Sequence, residues 1–109
     1  MRRPDPELTS LAWEDMDVLF DAVLESSGSK AVAEGVYEGV LAAVEAVAPM
    51  PHSSPSVAGR TGIACDYRWA QHKGWLAFYH VKDNGGIIVD RVLWGKSERT
   101  KMLGLVENP

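Results

Sequence analysis

The apolar residues of this chain change their spacing at residues 49–60, and that change limits the possible folds most strongly. Before this segment they recur every three to four residues, as one face of an α-helix requires. After it they alternate with polar residues or form short apolar runs, as in β-strands. The segment itself holds three prolines, three serines and a glycine, which is typical of a loop. The sequence therefore predicts helices first and a sheet second.

Two amphipathic helices are predicted in the N-terminal half. The first begins at Glu14, where acidic residues of the first turn complement the helix dipole. Ser29 can cap the second helix, which extends to about Val47. The two apolar stripes consist of Met16, Leu19, Phe20, Val23 and Leu24, and of Val36, Val40, Leu41, Val44 and Val47. Gly35 and Gly39 are expected to let the second helix approach the first closely.

Strands are predicted in the C-terminal half, joined by short turns. They cover residues 63–69, 75–81 and 87–94, with a further short edge strand over residues 8–13. The first turn is placed at 71–74, and the second contains the hairpin signal Asn84-Gly85. The prediction is an α+β fold in which two N-terminal helices pack on a C-terminal antiparallel three- to four-stranded sheet. The other sheet face is left to solvent or to a partner.

Length and composition fit a single domain over residues 1–109, with residues 1–7 as a flexible arm. Hydrophobic residues make up 46% of the 109 residues and charged residues 24%, which is ordinary for a globular protein. No apolar run reaches the roughly 18 residues of a membrane span, and no signal peptide is visible, so a cytoplasmic protein is expected. Cys65 is alone and the histidines lack metal-site spacing, so neither a metal nor a cofactor is expected.

The charge of the chain is divided unequally between its two halves. Residues 1–59 hold three basic and ten acidic residues, whereas residues 60–109 hold eight basic and five acidic ones. A polyanion would therefore bind the C-terminal half, because salt screens attraction beyond roughly 10 Å. The alternative is that both halves are simply solvated.

Six basic residues of the C-terminal half are candidate contacts for a negatively charged target. They are Arg60, Arg68, Arg91, Lys96, Arg99 and Lys101. A meander can bring several of them onto one surface, where they would meet phosphates. Strand alternation places Arg68 on the face opposite Tyr67 and Trp69. Arg91 can instead pair with Asp90 or with a carboxylate on a helix.

His80 is the one polar residue in the apolar strand from Trp75 to Val81. Histidine can act as a general acid or base near neutral pH. His80 is therefore a candidate catalytic residue, together with Arg68 and Arg91. The alternative interpretation is a histidine whose hydrogen bonds are satisfied within the core or at its rim.

Three motifs, taken in order, resemble the RelE/ParE family of toxins from bacterial type II toxin–antitoxin pairs. They are Gly59-Arg60, the stretch from Phe78 to Asp83, and the stretch from Ile88 to Trp94 with the ending Gly95-Lys96-Ser97-Glu98-Arg99. Trp13-Glu14 and Ser29-Lys30-Ala31 at the predicted helix starts also fit. The resemblance covers about residues 8–103 and implies the same order of two helices and a sheet.

The resemblance implies one of two activities and one kind of partner. RelE-like toxins are mRNA interferases that cleave messenger RNA in the ribosome, whereas ParE-like toxins inhibit DNA gyrase and are not nucleases. Both are neutralised by a small antitoxin that wraps the sheet and the helices. The pair usually represses its own promoter, so promoter DNA is expected as a partner only through the antitoxin complex.

The positions that the family uses for RNA cleavage are poorly kept in this chain. Arg68 can match the basic residue of the first meander strand, but Leu76 stands where the next strand of a nuclease carries arginine. Ser97 replaces the arginine after Gly-Lys, and Leu103 replaces the C-terminal catalytic tyrosine. The sequence pI of about 5.3 also disfavours a ribosomal nuclease.

The sequence thus predicts a growth-arresting toxin that is neutralised by a cognate antitoxin. Its target is left open between DNA gyrase and ribosome-associated messenger RNA, and any nuclease activity would be metal-independent. The alternative is a non-toxic family member that acts only as a protein-interaction module.

Overall fold

The computed structural model describes residues 5–56 and 67–96, and it places two helices on one face of a four-stranded sheet. The elements are β1 (Glu7–Leu8), α1 (Ser10–Ser27), α2 (Lys30–Val47), a 3₁₀ turn at Pro51–Ser53, β2 (Arg68–His72), β3 (Trp75–Val81) and β4 (Ile87–Trp94). The predicted α+β architecture is confirmed. Residues 63–66 of the first predicted meander strand lie outside the described residues.

The sheet is mixed rather than wholly antiparallel. Its strand order is β1-β4-β3-β2, and the β2, β3 and β4 pairings are antiparallel as predicted. β1 instead runs parallel to β4, with Glu7 opposite Ile88 and Leu8 opposite Val89. The predicted flexible arm therefore ends inside a strand at Glu7. The predicted edge strand over residues 8–13 is reduced to Leu8, because the chain turns into α1 directly afterwards.

Helix α1 begins four residues earlier than the apolar pattern predicts, because Thr9 caps it. The Thr9 hydroxyl accepts a hydrogen bond from the Ala12 backbone N–H at 3.0 Å. It also donates to the Asp90 carbonyl at 3.1 Å, which ties the start of α1 to β4. No acidic residue lies in the first turn of α1, so the expected match to the helix dipole there was wrong.

The hairpin between β2 and β3 is tighter than predicted. Gln71 and His72 belong to β2, and only Lys73 and Gly74 form the turn. Both turn residues have positive φ, 48° for Lys73 and 85° for Gly74. A two-residue turn of this kind matches the twist of the strands that it joins. The strands therefore stay paired up to His72 and Trp75.

The main core lies between the helices and the sheet. Its fully buried members include Ala12, Met16 and Leu19 of α1, Val40 and Val44 of α2, and Ala77, Tyr79, Val89 and Val92 of the sheet. A second apolar cluster lies on the opposite face of the sheet, formed by strand residues that alternate with those of the main core. Its members Trp69, Leu76 and Phe78 are only 5–9% exposed. Among the described residues, that face is thus apolar where the cluster lies rather than lined by a row of arginines.

The two glycines of α2 do not serve a helix–helix contact. A Cβ atom on Gly39 would overlap the imidazole of His72 in β2, whereas one on Gly35 would meet nothing within 4 Å. The expectation that both glycines let α2 approach α1 was wrong. Gly39 makes room for the end of β2, and Gly35 has no such packing role.

These environments predict different effects of the same substitution at the two glycines. Gly35→Ala is expected to raise the free energy of unfolding by about 0.5–1 kcal/mol, because alanine favours helix and the site has space. The free energy of unfolding of Gly39→Ala is expected to be at least about 1 kcal/mol lower than that of Gly35→Ala, because the His72 side chain must move to make room for the added methyl group. Urea denaturation of both variants measures the difference, and equal stabilisation by the two would contradict the packing described.

Candidate functional site

Arg68 holds a loop of its own chain. It lies opposite Tyr79 in the β2–β3 ladder, on the sheet face that the helices cover and opposite Trp69, as alternation predicts. Its guanidinium donates from Nη1 to the carbonyls of His52 at 3.0 Å and Ser54 at 2.6 Å. The buried Tyr79 hydroxyl donates to the Pro51 carbonyl at 2.6 Å. The two side chains together fix the loop that follows α2.

Arg91 is paired with a helix carboxylate, as one of the sequence interpretations predicted. Its Nε donates to Asp15 Oδ2 at 2.7 Å and its Nη2 to Oδ1 at 3.0 Å, which is a two-point contact. Asp15 Oδ2 also accepts the backbone N–H of Val92 at 2.9 Å. The carboxylate is buried, and 27% of the Arg91 side chain is exposed.

The charge state of Arg91 is secured by this contact. The hydrogen bonds that Arg91 donates to Asp15 raise the pKa of Arg91 above its usual value. Burial opposes this rise, and the negative charge of Asp15 adds to it. The guanidinium carries its positive charge as arginine normally does, and the Asp15 carboxylate matches that charge.

His80 lies on the sheet face away from the helices, in a small cluster with Asp90 and Tyr67. His80 Nδ1 and Asp90 Oδ2 are 2.7 Å apart, and the Tyr67 ring packs edge-on at 5.8 Å between centroids. A register shift between β3 and β4 after Phe78 brings Asp90 into this position. The His80 side chain is 38% exposed, so it is a half-exposed histidine with a carboxylate partner.

The three candidate catalytic residues are not brought into one site. Arg68 faces the helices and the 51–54 loop, His80 faces the opposite side, and Arg91 reaches α1. Lys96 is exposed in the turn after β4. The other candidate target-binding residues, Arg60, Arg99 and Lys101, lie outside the described residues, as do Ser97 and Leu103.

Two concave surfaces on the helices were not found by sequence reasoning. One is an open groove of about 670 Å³ between α1 and α2, lined by Asp17, Phe20, Asp21, Glu34, Tyr37 and Glu38. The other is an apolar pocket of about 360 Å³ lined by Ala22, Val23, Ser26, Trp75 and Trp94. The strand pattern indicated aromatic residues at 75 and 94 but could not indicate that α1 would pass beside them.

The described residues give no sign of a metal centre or of a membrane segment. Within residues 5–56 and 67–96, no group of three or more His, Cys, Asp or Glu side chains is arranged to hold a metal ion. Neither helix described is long and apolar enough to cross a membrane.

Comparison with known proteins identifies one family. Residues 7–98 match the family model of the ParE toxin of the type II toxin–antitoxin system parDE. A solved structure of the chromosomal ParDE TA system from P. aeruginosa superposes with a TM-score of 0.65 at 17% identity, covering 81% of this chain and 91% of that one. No curated protein matches the chain at a significant level.

The contacts of Asp15 predict a large effect of its removal. Asp15→Ala is expected to lower the free energy of unfolding by about 2–4 kcal/mol, because the Arg91 guanidinium and the Val92 N–H lose their acceptor. Asp17→Ala removes an exposed carboxylate from the same helix and is expected to stay within about 0.5 kcal/mol of the parent protein. Chemical denaturation compares the two, and similar losses in both variants would count against this role for Asp15.

Proposed function

This chain belongs to the ParE toxin family of type II toxin–antitoxin systems, and on that basis we propose that it arrests growth by binding DNA gyrase rather than by cleaving messenger RNA. The family membership supports the role of a toxin with an antitoxin partner. The choice of target rests on the contacts that the basic side chains of the sheet make within the chain.

The observation that carries the proposal is that both candidate catalytic arginines are occupied within the chain. Cleavage of RNA by its own 2′-hydroxyl needs cations beside the phosphate in the transition state. Arg68 is bound to the His52 and Ser54 carbonyls, and Arg91 is bound to Asp15. Recruiting either side chain to a phosphate would break contacts that hold the fold. These contacts favour a toxin that acts by protein binding.

The balance of charge supports the same choice. A ribosome-bound nuclease gains affinity from many contacts to phosphate, and each contact adds salt-dependent attraction. This chain has a net charge of −4, and the outer groove of its helices carries four carboxylates. A protein target does not require a strongly basic surface. We place the action in the cytoplasm, where gyrase works.

One specific observation keeps messenger RNA cleavage as the second candidate. His80 and Asp90 form a close pair at 2.7 Å, and such a carboxylate can orient an imidazole as a general base. In that case the cation at the phosphate must come from other residues, such as Lys96. A non-toxic member that acts only as an interaction module is the remaining alternative.

Induced expression of the chain alone tests the proposal directly. Growth arrest with an induced DNA-damage response and intact transcripts is the expected outcome, and the purified chain should inhibit supercoiling by purified gyrase. Transcripts cut soon after induction, without a DNA-damage response, would establish the nuclease instead. Normal growth at a good soluble yield would leave only the non-toxic alternative.

His80→Ala separates the two toxic mechanisms in a single variant. If gyrase is the target, this variant is expected to arrest growth as the parent does, because His80 then has no chemical role. A nuclease that uses His80 as a general base would lose about 100-fold or more of its cleavage rate. Asp83→Ala, in the turn after β3, is a matched control that is expected to leave both readouts unchanged.

A further inference from the structure

The apolar pocket beside the end of α1 is the concave surface that the proposed function leaves unused. We call it the tryptophan pocket; its volume is about 360 Å³, and it is lined by Ala22, Val23, Ser26, Trp75 and Trp94. The rings of Trp75 and Trp94 meet at 55°, with their centroids 5.3 Å apart. The Ser26 hydroxyl already donates to the Val23 carbonyl at 3.3 Å. The lining therefore suits an apolar occupant.

The walls of the tryptophan pocket are preformed, because the turn between β2 and β3 holds the Trp94 ring. A Cβ atom on Gly74 would overlap this ring, so the ring lies directly against the turn. Trp75 is only 8% exposed, whereas 40% of Trp94 remains exposed. The pocket thus keeps an open aromatic wall that an apolar side chain can cover.

The chain itself leaves the sheet at this pocket. β4 ends at Trp94, and the next residue, Gly95, donates its backbone N–H to the Gly74 carbonyl at 2.7 Å. Residues 97–109 follow and lie outside the described residues. Whatever they bind, they start from a point beside the tryptophan rings.

The sequence of this C-terminal segment matches the pocket in its order of polar and apolar residues. A polar stretch covers residues 97–101, and four of the next five residues are apolar, in Met102-Leu103-Gly104-Leu105-Val106. Five linking residues span up to about 17 Å when extended. That length is sufficient for the chain to turn back and bring residues 102–106 to the pocket.

The charges beside the pocket complement those of the segment. Asp21 and Glu25 are exposed, and each directly precedes a lining residue of α1. No basic residue lies in the last turn of α1 to offset the negative end of its dipole. Arg99 and Lys101 stand directly before the apolar stretch. A segment that enters the pocket with residues 102–106 therefore brings two cations toward two carboxylates and a helix C-terminus.

We propose that residues 102–106 of the same chain dock in the tryptophan pocket, with a leucine side chain against Trp75 and Trp94. Docking places Arg99 and Lys101 against the acidic side of α1. Both are predicted target-binding residues, so the docked segment and a target compete for them. That competition rests on the proposed function, whereas the docking itself does not.

Trypsin measures docking in the full-length protein, because it cleaves after Lys101, directly before the apolar stretch. A docked segment is cut only when it is released, so the rate follows the released fraction. Ala22→Phe fills the pocket from α1, leaves the cleavage site unchanged, and is expected to speed this cut about tenfold or more. Ala31→Phe, at an exposed position of α2, is the matched control and is expected to stay within about twofold of the parent.

The occupant is tested from the other side by substitutions in the segment. Leu103→Ser combined with Leu105→Ser is expected to speed the same cut about tenfold or more, because the apolar contact is lost. Thr100→Ser combined with Asn108→Ser adds two serines outside the apolar stretch and is expected to behave as the parent. Cleavage after Arg91, within β4, reports global unfolding, and mass spectrometry separates the two cuts.

The ionic contact is tested by removing one carboxylate. Glu25→Gln is expected to speed the cut after Lys101 about threefold at low salt, and its difference from the parent should vanish at high salt. Glu14→Gln, near the other end of α1, is the control. A Glu25→Gln variant that is cut at the parent rate at low salt would overturn the ionic part of the proposal.

The remaining outcomes distinguish this proposal from the proposed function. A parent protein that is cut after Lys101 as fast as Ala22→Phe overturns the docking. So does protection that grows with protein concentration, which would make the segment of a second copy the occupant.

Inhibition of gyrase tests the competition. Ala22→Phe is expected to inhibit supercoiling at about tenfold lower concentration than the parent, because its segment is released. Equal inhibition by the two proteins overturns the competition. A parent protein that does not inhibit gyrase refutes the proposed target, while trypsin still reports on the docking.

Discussion

The carboxylate of Asp15 joins the first helix to the sheet, and much of the described structure depends on that one group. The carboxylate accepts hydrogen bonds from the guanidinium of Arg91 and from the backbone N–H of Val92, both on β4. Among residues 5–56 and 67–96, β1 pairs with β4 only at Ile88 and Val89, and no other described strand lies on this side of β4. At Val92 a side chain of α1 accepts the backbone N–H, as a neighbouring strand would, and it also sets how α1 lies across the sheet.

The two arginines of the described strands are both engaged by groups of their own chain. Arg91 forms an ion pair with the buried carboxylate of Asp15, and Arg68 donates hydrogen bonds to two carbonyls of the loop after α2. A buried charge without a partner is costly, so each arginine is held by the group that it neutralises or solvates. In the described strands, Arg68 and Arg91 therefore hold neighbouring parts of the fold together.

The sequence was sufficient for the order of elements, because helical and strand periodicities are local properties. It failed where a contact joins distant parts of the chain. Thr9 caps α1 and binds the Asp90 carbonyl, so the helix starts before its first apolar repeat. The parallel pairing of β1 has no local pattern, since two residues cannot show alternation.

The candidate site was predictable only in part, for the same reason. The pairing of Arg91 with a helix carboxylate was among the alternatives that the sequence left open, but the choice of Asp15 depends on the crossing of α1 over β4. The contact between His80 and Asp90 depends on a register shift between β3 and β4 that the residue types at these positions do not predict. The pocket between Trp75 and Trp94 exists only because α1 passes beside both rings.

The parallel pairing of β1 with β4 affects the order in which parts of the chain can fold during synthesis. These strands lie at opposite ends of the described chain, and the hydrogen bond from Thr9 to Asp90 spans 81 residues. The two helices can form on the ribosome before β4 has emerged. β4, the last of the described strands, supplies the acceptor of the Thr9 hydroxyl and the donors to the Asp15 carboxylate. Closing so long a loop makes this step slow compared with local helix formation. A nascent or truncated chain that lacks β4 keeps the local cap from Thr9 to Ala12, but the Thr9 hydroxyl lacks its acceptor and the Asp15 carboxylate lacks both of its β4 donors. The position of α1 on the sheet is therefore fixed only after β4 has emerged.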